Sequence, residues 1–85
     1  MEVIIMSVKA YIMMNIKSGS EDEVCEKLLS YDEIEEVSTI YGEFDVIAKV
    51  KAKDMNSLDN LIVKRLRSIP DIILTATMLI AREFK

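Results

Sequence analysis

The segment Val37-Ser38-Thr39-Ile40-Tyr41-Gly42-Glu43-Phe44-Asp45-Val46-Ile47-Ala48-Lys49-Val50-Lys51 organises the chain. Both flanks are rich in β-branched residues, and the second alternates apolar and charged positions. Two such runs joined by a short Gly-containing segment predict a β-hairpin. Gly42 is one of two glycines in the chain, and it suits a backbone position with φ > 0. A turn of this kind leaves peptide N–H groups outside the strand ladder, where they can receive an anion. Asp45 supplies a negative charge three residues on. Donors beside a carboxylate suit a zwitterion such as a free amino acid. The same residues also make an ordinary solvated turn, because turns are rich in Gly and Asp for local reasons. At this point both readings stand.

Upstream, Val8, Ala10, Ile12, Met14 and Ile16 alternate with Lys9, Tyr11, Met13, Asn15 and Lys17, the period of a strand. Ser18-Gly19 interrupts it. Ser20 with Glu23 fits a capping box, with Glu21 and Asp22 in the first turn of a helix. Val24, Cys25, Leu28 and Leu29 form that helix's apolar stripe. A second strand follows from about Ile34 to Tyr41 and a third from about Phe44 to Ala52. Asp54 is a candidate N-cap. Leu58, Leu61, Ile62, Arg65, Leu66 and Ile69 recur at helical steps, and Pro70 closes the helix. A fourth strand runs from about Asp71 to Glu83.

The order β-α-β-β-α-β predicts an α+β, ferredoxin-like sandwich, with both helices on one face of a four-stranded antiparallel sheet. There is an internal echo: Ser30, Ile34 and Thr39 follow the first helix at the offsets at which Ser68, Ile72 and Thr77 follow the second. On the uncovered face, alternation places Tyr11 and Met13 from strand one. It adds Asp45, Ile47 and Lys49 from strand three, and Ile73, Thr75, Thr77, Leu79 and Ala81 from strand four. Such a surface is too apolar to face water. Five such side chains at ~1.5–3 kcal/mol each favour pairing by roughly 10 kcal/mol before the cost of association. A homodimer packed sheet against sheet is expected.

With 85 residues the chain is one domain, burying only about 60–65% of the surface its unfolded form exposes. Its residues are 51% apolar, which excludes disorder. The net charge is −4, from 11 basic and 15 acidic residues. Nucleic-acid binding calls for a concentrated basic surface, and the one basic cluster, Lys64, Arg65 and Arg67, complements a helix C-terminus. Cys25 is the single cysteine, so an intramolecular disulfide and a thiolate metal cluster are excluded. A reducing, cytoplasmic setting fits, with Cys25 as a buried small hydrophobe. The apolar opening, residues 1–6, lacks a basic lead and reads as a poor signal peptide, and no apolar run is long enough to span a membrane.

Tyr41-Gly42-Glu43-Phe44-Asp45-Val46-Ile47-Ala48-Lys49-Val50 resembles the Gly-x-(Tyr/Phe)-Asp hairpin of the Lrp/AsnC regulators' effector domain, called RAM. Leu66-Arg67-Ser68-Ile69-Pro70-Asp71-Ile72 resembles that family's passage from helix end into the last strand, and Thr75-Ala76-Thr77 its Thr-x-Thr stretch. The likeness covers about residues 8 to 84. It implies a dimeric α/β barrel that assembles further into an octamer or related ring and binds amino-acid effectors between dimers, near the hairpin and last strand. Carried onto this chain, the ligand-binding residues would be Gly42, Glu43, Asp45, Thr75 and Thr77. Gly42 and Glu43 would offer N–H groups to the effector carboxylate, Asp45 would meet its ammonium, and a threonine would add a hydroxyl. The family's regulators carry a helix-turn-helix domain first. Here residues 1–7 form a short N-terminal extension before a single domain, 8–85, so direct DNA binding is not expected. The chain would sense an amino acid by itself or co-assemble with full-length regulators.

Three rival readings remain at this stage. A small dimeric-barrel enzyme would have to work without histidine, on carboxylates, a tyrosine or a lysine, and no catalytic residue is assigned. An ACT-like regulatory domain would bind its amino acid at the first strand-to-helix loop, Ser18-Gly19-Ser20. A structural assembly module would bind nothing. No metal site and no cofactor are indicated, since acidic pairs without His or further Cys are common solvated faces.

Overall fold

The computed structural model describes residues 7–85. Of the expected N-terminal extension, only Ser7 lies within them. Strand β1 is Val8–Ile16, helix α1 Glu21–Leu29, β2 Ile34–Thr39, β3 Val46–Ala52, helix α2 Met55–Asn60 and β4 Ile72–Leu79. The four strands form one antiparallel sheet in the order β2-β3-β1-β4. This is the ferredoxin-like sandwich that the element order predicts. Strand ends are shorter than expected: β2 stops at Thr39, β3 starts at Val46 and β4 stops at Leu79.

The core lies on one side of the sheet. Ala10, Ile12, Met14 and Ile16 of β1 and Val46, Ala48, Val50 and Ala52 of β3 are buried there with Val24 and Leu28 of α1 and Leu58 of α2. Ile34 of β2 and, just beyond α2, Leu61 and Leu66 complete it. Among the described residues no polar side chain is buried. Cys25 is only half-buried against this core, and burial raises its thiol pKa.

Two local expectations fail for physical reasons. Ser20 precedes α1 at φ −104° and ψ 8°, and its hydroxyl makes no cap hydrogen bond. A capping side chain usually needs an extended backbone beneath it. Glu21 instead accepts from the Gly19 N–H at 2.8 Å. The second helix is also not uniform. After α2 the chain makes a π-helical stretch, Leu61–Arg65, then a 3-10 turn, Leu66–Ser68. Leu61 and Leu66 are both buried yet stand five residues apart, one more than an α-turn brings onto a face. The wider π-turn accommodates that spacing.

The echo between the halves is structural. Ser30 Oγ–H donates to the Lys27 carbonyl at 2.6 Å and Ser68 Oγ–H to the Arg65 carbonyl at 2.7 Å. The next amides, Tyr31 and Ile69, donate to Leu28 and Leu66, and Ile34 and Ile72 donate back to Tyr31 and Ile69. Both helices therefore leave for their strands through the same turn.

The uncovered face is corrected in one strand. Tyr11 pairs with Met78 and Met13 with Ala76, so Leu74, Ala76 and Met78 share the open side with Tyr11 and Met13. Thr75 and Thr77 stand opposite Met14 and Ile12 and share the helix side with them. The cause is a bulge. Asn15 pairs with Leu74 but Ile16 with Ile72, so Ile73 has no partner opposite and the alternation inverts after it. Ile73, Thr75, Thr77 and Leu79 therefore do not form the open row that regular alternation predicts. The surface remains apolar: Leu74 and Met78 are 55% and 59% exposed, with Met13, Ile47 and Ala76 between them.

Candidate ligand cleft

Because β1 runs antiparallel to β3, the end of β1 meets the start of β3, and the β1–α1 loop meets the β2–β3 hairpin. A half-open cleft of about 540 Å³ lies between them, within the roughly 300–1,000 Å³ common for small-molecule sites. Gly19, Glu21 and Asp22 line it from the loop and helix start. Thr39, Ile40, Tyr41 and Asp45 line it from the hairpin.

Asp45 locks the hairpin to the sheet. Its N–H donates to the Met14 carbonyl at 2.9 Å, and its own carbonyl accepts from the Ile40 N–H at 2.9 Å. Its Oδ2 accepts from the Ile16 N–H at 2.8 Å. The carboxylate thus takes the place of a ladder carbonyl where β3 has already ended. Its second oxygen, Oδ1, has no hydrogen-bond partner among the described residues.

Gly42 has φ +135°, a conformation that L-residues rarely adopt. An added Cβ would meet nothing within 4 Å, so the conformation, not space, calls for glycine. No hydrogen bond within the described residues uses the amides of Tyr41, Gly42, Glu43 or Phe44. The opposite wall differs. The Gly19 N–H is taken by Glu21 and the Ser20 N–H by the Lys17 carbonyl. Two amides of that loop are thus occupied, whereas the N–H groups of Ser18 and, at the helix start, of Glu21 and Asp22 make no hydrogen bond among the described residues.

Three carboxylates line the cleft and no lysine or arginine does, so its field favours a cationic group. Among the described residues no group of three His, Cys, Asp or Glu is placed to hold a metal ion. Of the five residues singled out in the sequence, Asp45 lines the cleft, and Gly42 and Glu43 belong to its hairpin. Thr75 lies elsewhere, in a shallow hollow with Arg67, Ile72, Ile73 and Leu74. Thr77 is exposed on the same strand. Sequence reasoning missed Glu21, Asp22, Thr39 and Ile40. The first two read as helix-start charges, and only strand order brings them to the hairpin. It also treated the loop and the hairpin as separate sites, whereas they are two walls of one cleft.

A family model described as the Lrp/AsnC ligand binding domain matches residues 9–85. The HTH-type transcriptional regulator FL11 of Pyrococcus horikoshii is 33% identical over 79 residues. That match takes in 93% of this chain and 52% of FL11, so the chain spans about half the length of the curated relatives it matches. The solved structure of hypothetical protein PHS023 from Pyrococcus horikoshii superposes with a TM-score of 0.84 at 40% identity, covering 91% of this chain and 93% of that one. The transcriptional regulator NMB0573 from Neisseria meningitidis, solved as an L-Met complex, shares the fold with a TM-score of 0.85 at 18% identity, covering 92% of this chain and 52% of that one.

Proposed function

The chain belongs to the Lrp/AsnC ligand binding domain family, and from that premise we propose that it is a transcription-regulatory domain receiving a free amino acid between its hairpin and its first strand-to-helix loop. The observation that carries this reading is the juxtaposition of unpartnered hairpin amides with a carboxylate whose second oxygen is free. An α-carboxylate meets the Gly42 and Glu43 N–H groups, and the ammonium meets Asp45 Oδ1. That NMB0573 was solved with L-Met supports an amino acid as the ligand class.

Two copies pair through their apolar open faces, and pairs assemble further into a ring. The cleft is half-open, so a neighbouring copy closes it, and Thr75 and Thr77 reach the ligand only when such a copy presents them. The acidic balance supports action without direct DNA contact, through co-assembly with full-length regulators that share this domain, in the cytoplasm. Among the described residues no helix is long and apolar enough to cross a membrane. No catalytic role is assigned to any residue.

The test is a calorimetric and thermal-shift screen of the free amino acids on the chain and on Asp45→Asn. The asparagine keeps an oxygen for the Ile16 N–H but removes the charge, which Asp45→Ala would not separate. An amino acid at 100 times its Kd should add about 2.7 kcal/mol of stability. Asp45→Asn should weaken it by about tenfold or more, as loss of a charged hydrogen bond does. No shift with any amino acid would refute the reading.

A further inference from the structure

The open face of the sheet has two unlike ends. One carries Met13, Ile47, Leu74 and Ala76, with Met78 at its border, level with Tyr11 and Lys49. The other carries Lys9, Lys49 and Lys51, because the register sets Lys9 opposite Lys51 and Tyr11 opposite Lys49. Like charges opposite one another in a sheet repel. Covering this end would also strip water from ammonium groups, a cost that an uncompensated ion does not recover.

The C-terminal segment answers that charge. The Ile80 N–H donates to the Lys9 carbonyl at 2.9 Å, extending the sheet bonding one residue past β4. Three residues on, the Glu83 carboxylate spans two lysines, with Oε1 2.9 Å from Lys9 Nζ and Oε2 3.4 Å from Lys49 Nζ. Lys49 Nζ in turn stands 6.0 Å from the centre of the Tyr11 ring. One carboxylate is thus held against strands β1 and β3 together by a residue in neither.

We infer that Glu83 is a specificity-determining residue for the pairing of this face with a second copy of the chain, supplying in cis the negative charge that lets the lysine end be covered. This rests on the open faces pairing. Without Glu83, Lys9 would stand opposite Lys51 with no carboxylate bridging it to Lys49, which would keep only Glu36 of β2 across from it. With it, each copy arrives with Lys9 and Lys49 already bridged.

Sedimentation equilibrium on the full chain tests this, with Glu83→Gln, Glu83→Lys and the exchange Lys9→Glu with Glu83→Lys. Glu83→Gln should raise the dimer Kd by about tenfold or more, the usual effect of stranding a charge at an interface. Glu83→Lys should raise it further, and the exchange should recover most of that loss while circular dichroism is unchanged. Pairing by Glu83→Gln as tight as wild type, or tighter, overturns the inference and leaves face pairing standing. So does an exchange variant as weak as Glu83→Lys alone. A wild-type chain that stays monomeric at micromolar concentration overturns face pairing and this inference with it.

Discussion

The two β-α-β halves of this protein end their helices alike and begin them differently. Ser30 and Ser68, Tyr31 and Ile69, and Ile34 and Ile72 make matching hydrogen bonds at the exits. At the second helix's start, Asp54 sits on extended backbone and its Oδ1 accepts from the Ser57 N–H at 2.8 Å. At the first, Ser20 caps nothing. The closed start of the second half lies at the far end of the sheet from the hairpin. The start lacking a side-chain cap is the one that faces it. Where the chain need only turn, the local bonds are complete. Where it borders the cleft, the Glu21 carboxylate turns back to the Gly19 N–H and Asp22 stays exposed.

Three experiments would break or sharpen that contrast. If the exits are equivalent, Leu28→Ala and Leu66→Ala, each truncating a fully buried side chain below its turn, should each destabilise by about 2–5 kcal/mol in urea unfolding. A cost confined to one half would break the equivalence. The glycines should show a smaller effect. Gly42→Ala should cost ~1–3 kcal/mol of backbone strain, and Gly19→Ala less, because its φ of +91° lies nearer the left-handed helical region. Equal costs would argue that the hairpin is not the strained wall.

The smallest effect separates the helix starts. Asp54→Ala should lower Tm measurably, whereas Ser20→Ala should leave it unchanged. The Ser57 N–H holds the Asp54 carboxyl below its ordinary pKa of 3.8. A group whose folded pKa is depressed stabilises fully above the unfolded value and loses that contribution as pH falls through the folded one. The Tm gap between wild type and Asp54→Ala should therefore persist at pH 7 and shrink as pH drops below 3.8. A gap that widened in acid would reverse the sign and refute the cap.

Much of this architecture was written locally. Period-two alternation marked β1 and β3, Pro70 marked the end of the second helix, and the Asp54 cap followed from residue type. The left-handed Gly42 followed from a turn between β-branched runs. The Ser20 cap failed on its backbone angles, and the other two failures depended on single-residue insertions that composition does not announce. The bulge at Ile73 inverted the face of β4 and moved Thr75 and Thr77 to the helix side. The π-turn reset the second helix's inner stripe. Both are choices the backbone makes to satisfy its neighbours.

The amino-acid sequence by itself determined the element order, the apolar core and the hairpin with its glycine and aspartate. Those follow from periodicity and local backbone preference, which act over a few residues. Only the tertiary structure decided that the Gly19 loop and the Asp45 hairpin share one cleft, that Ile16 holds the Asp45 carboxylate, and that Glu83 lies across Lys9 and Lys49. These join residues 29, 74 and 34 positions apart, a separation at which strand order, and not local pattern, sets who meets whom.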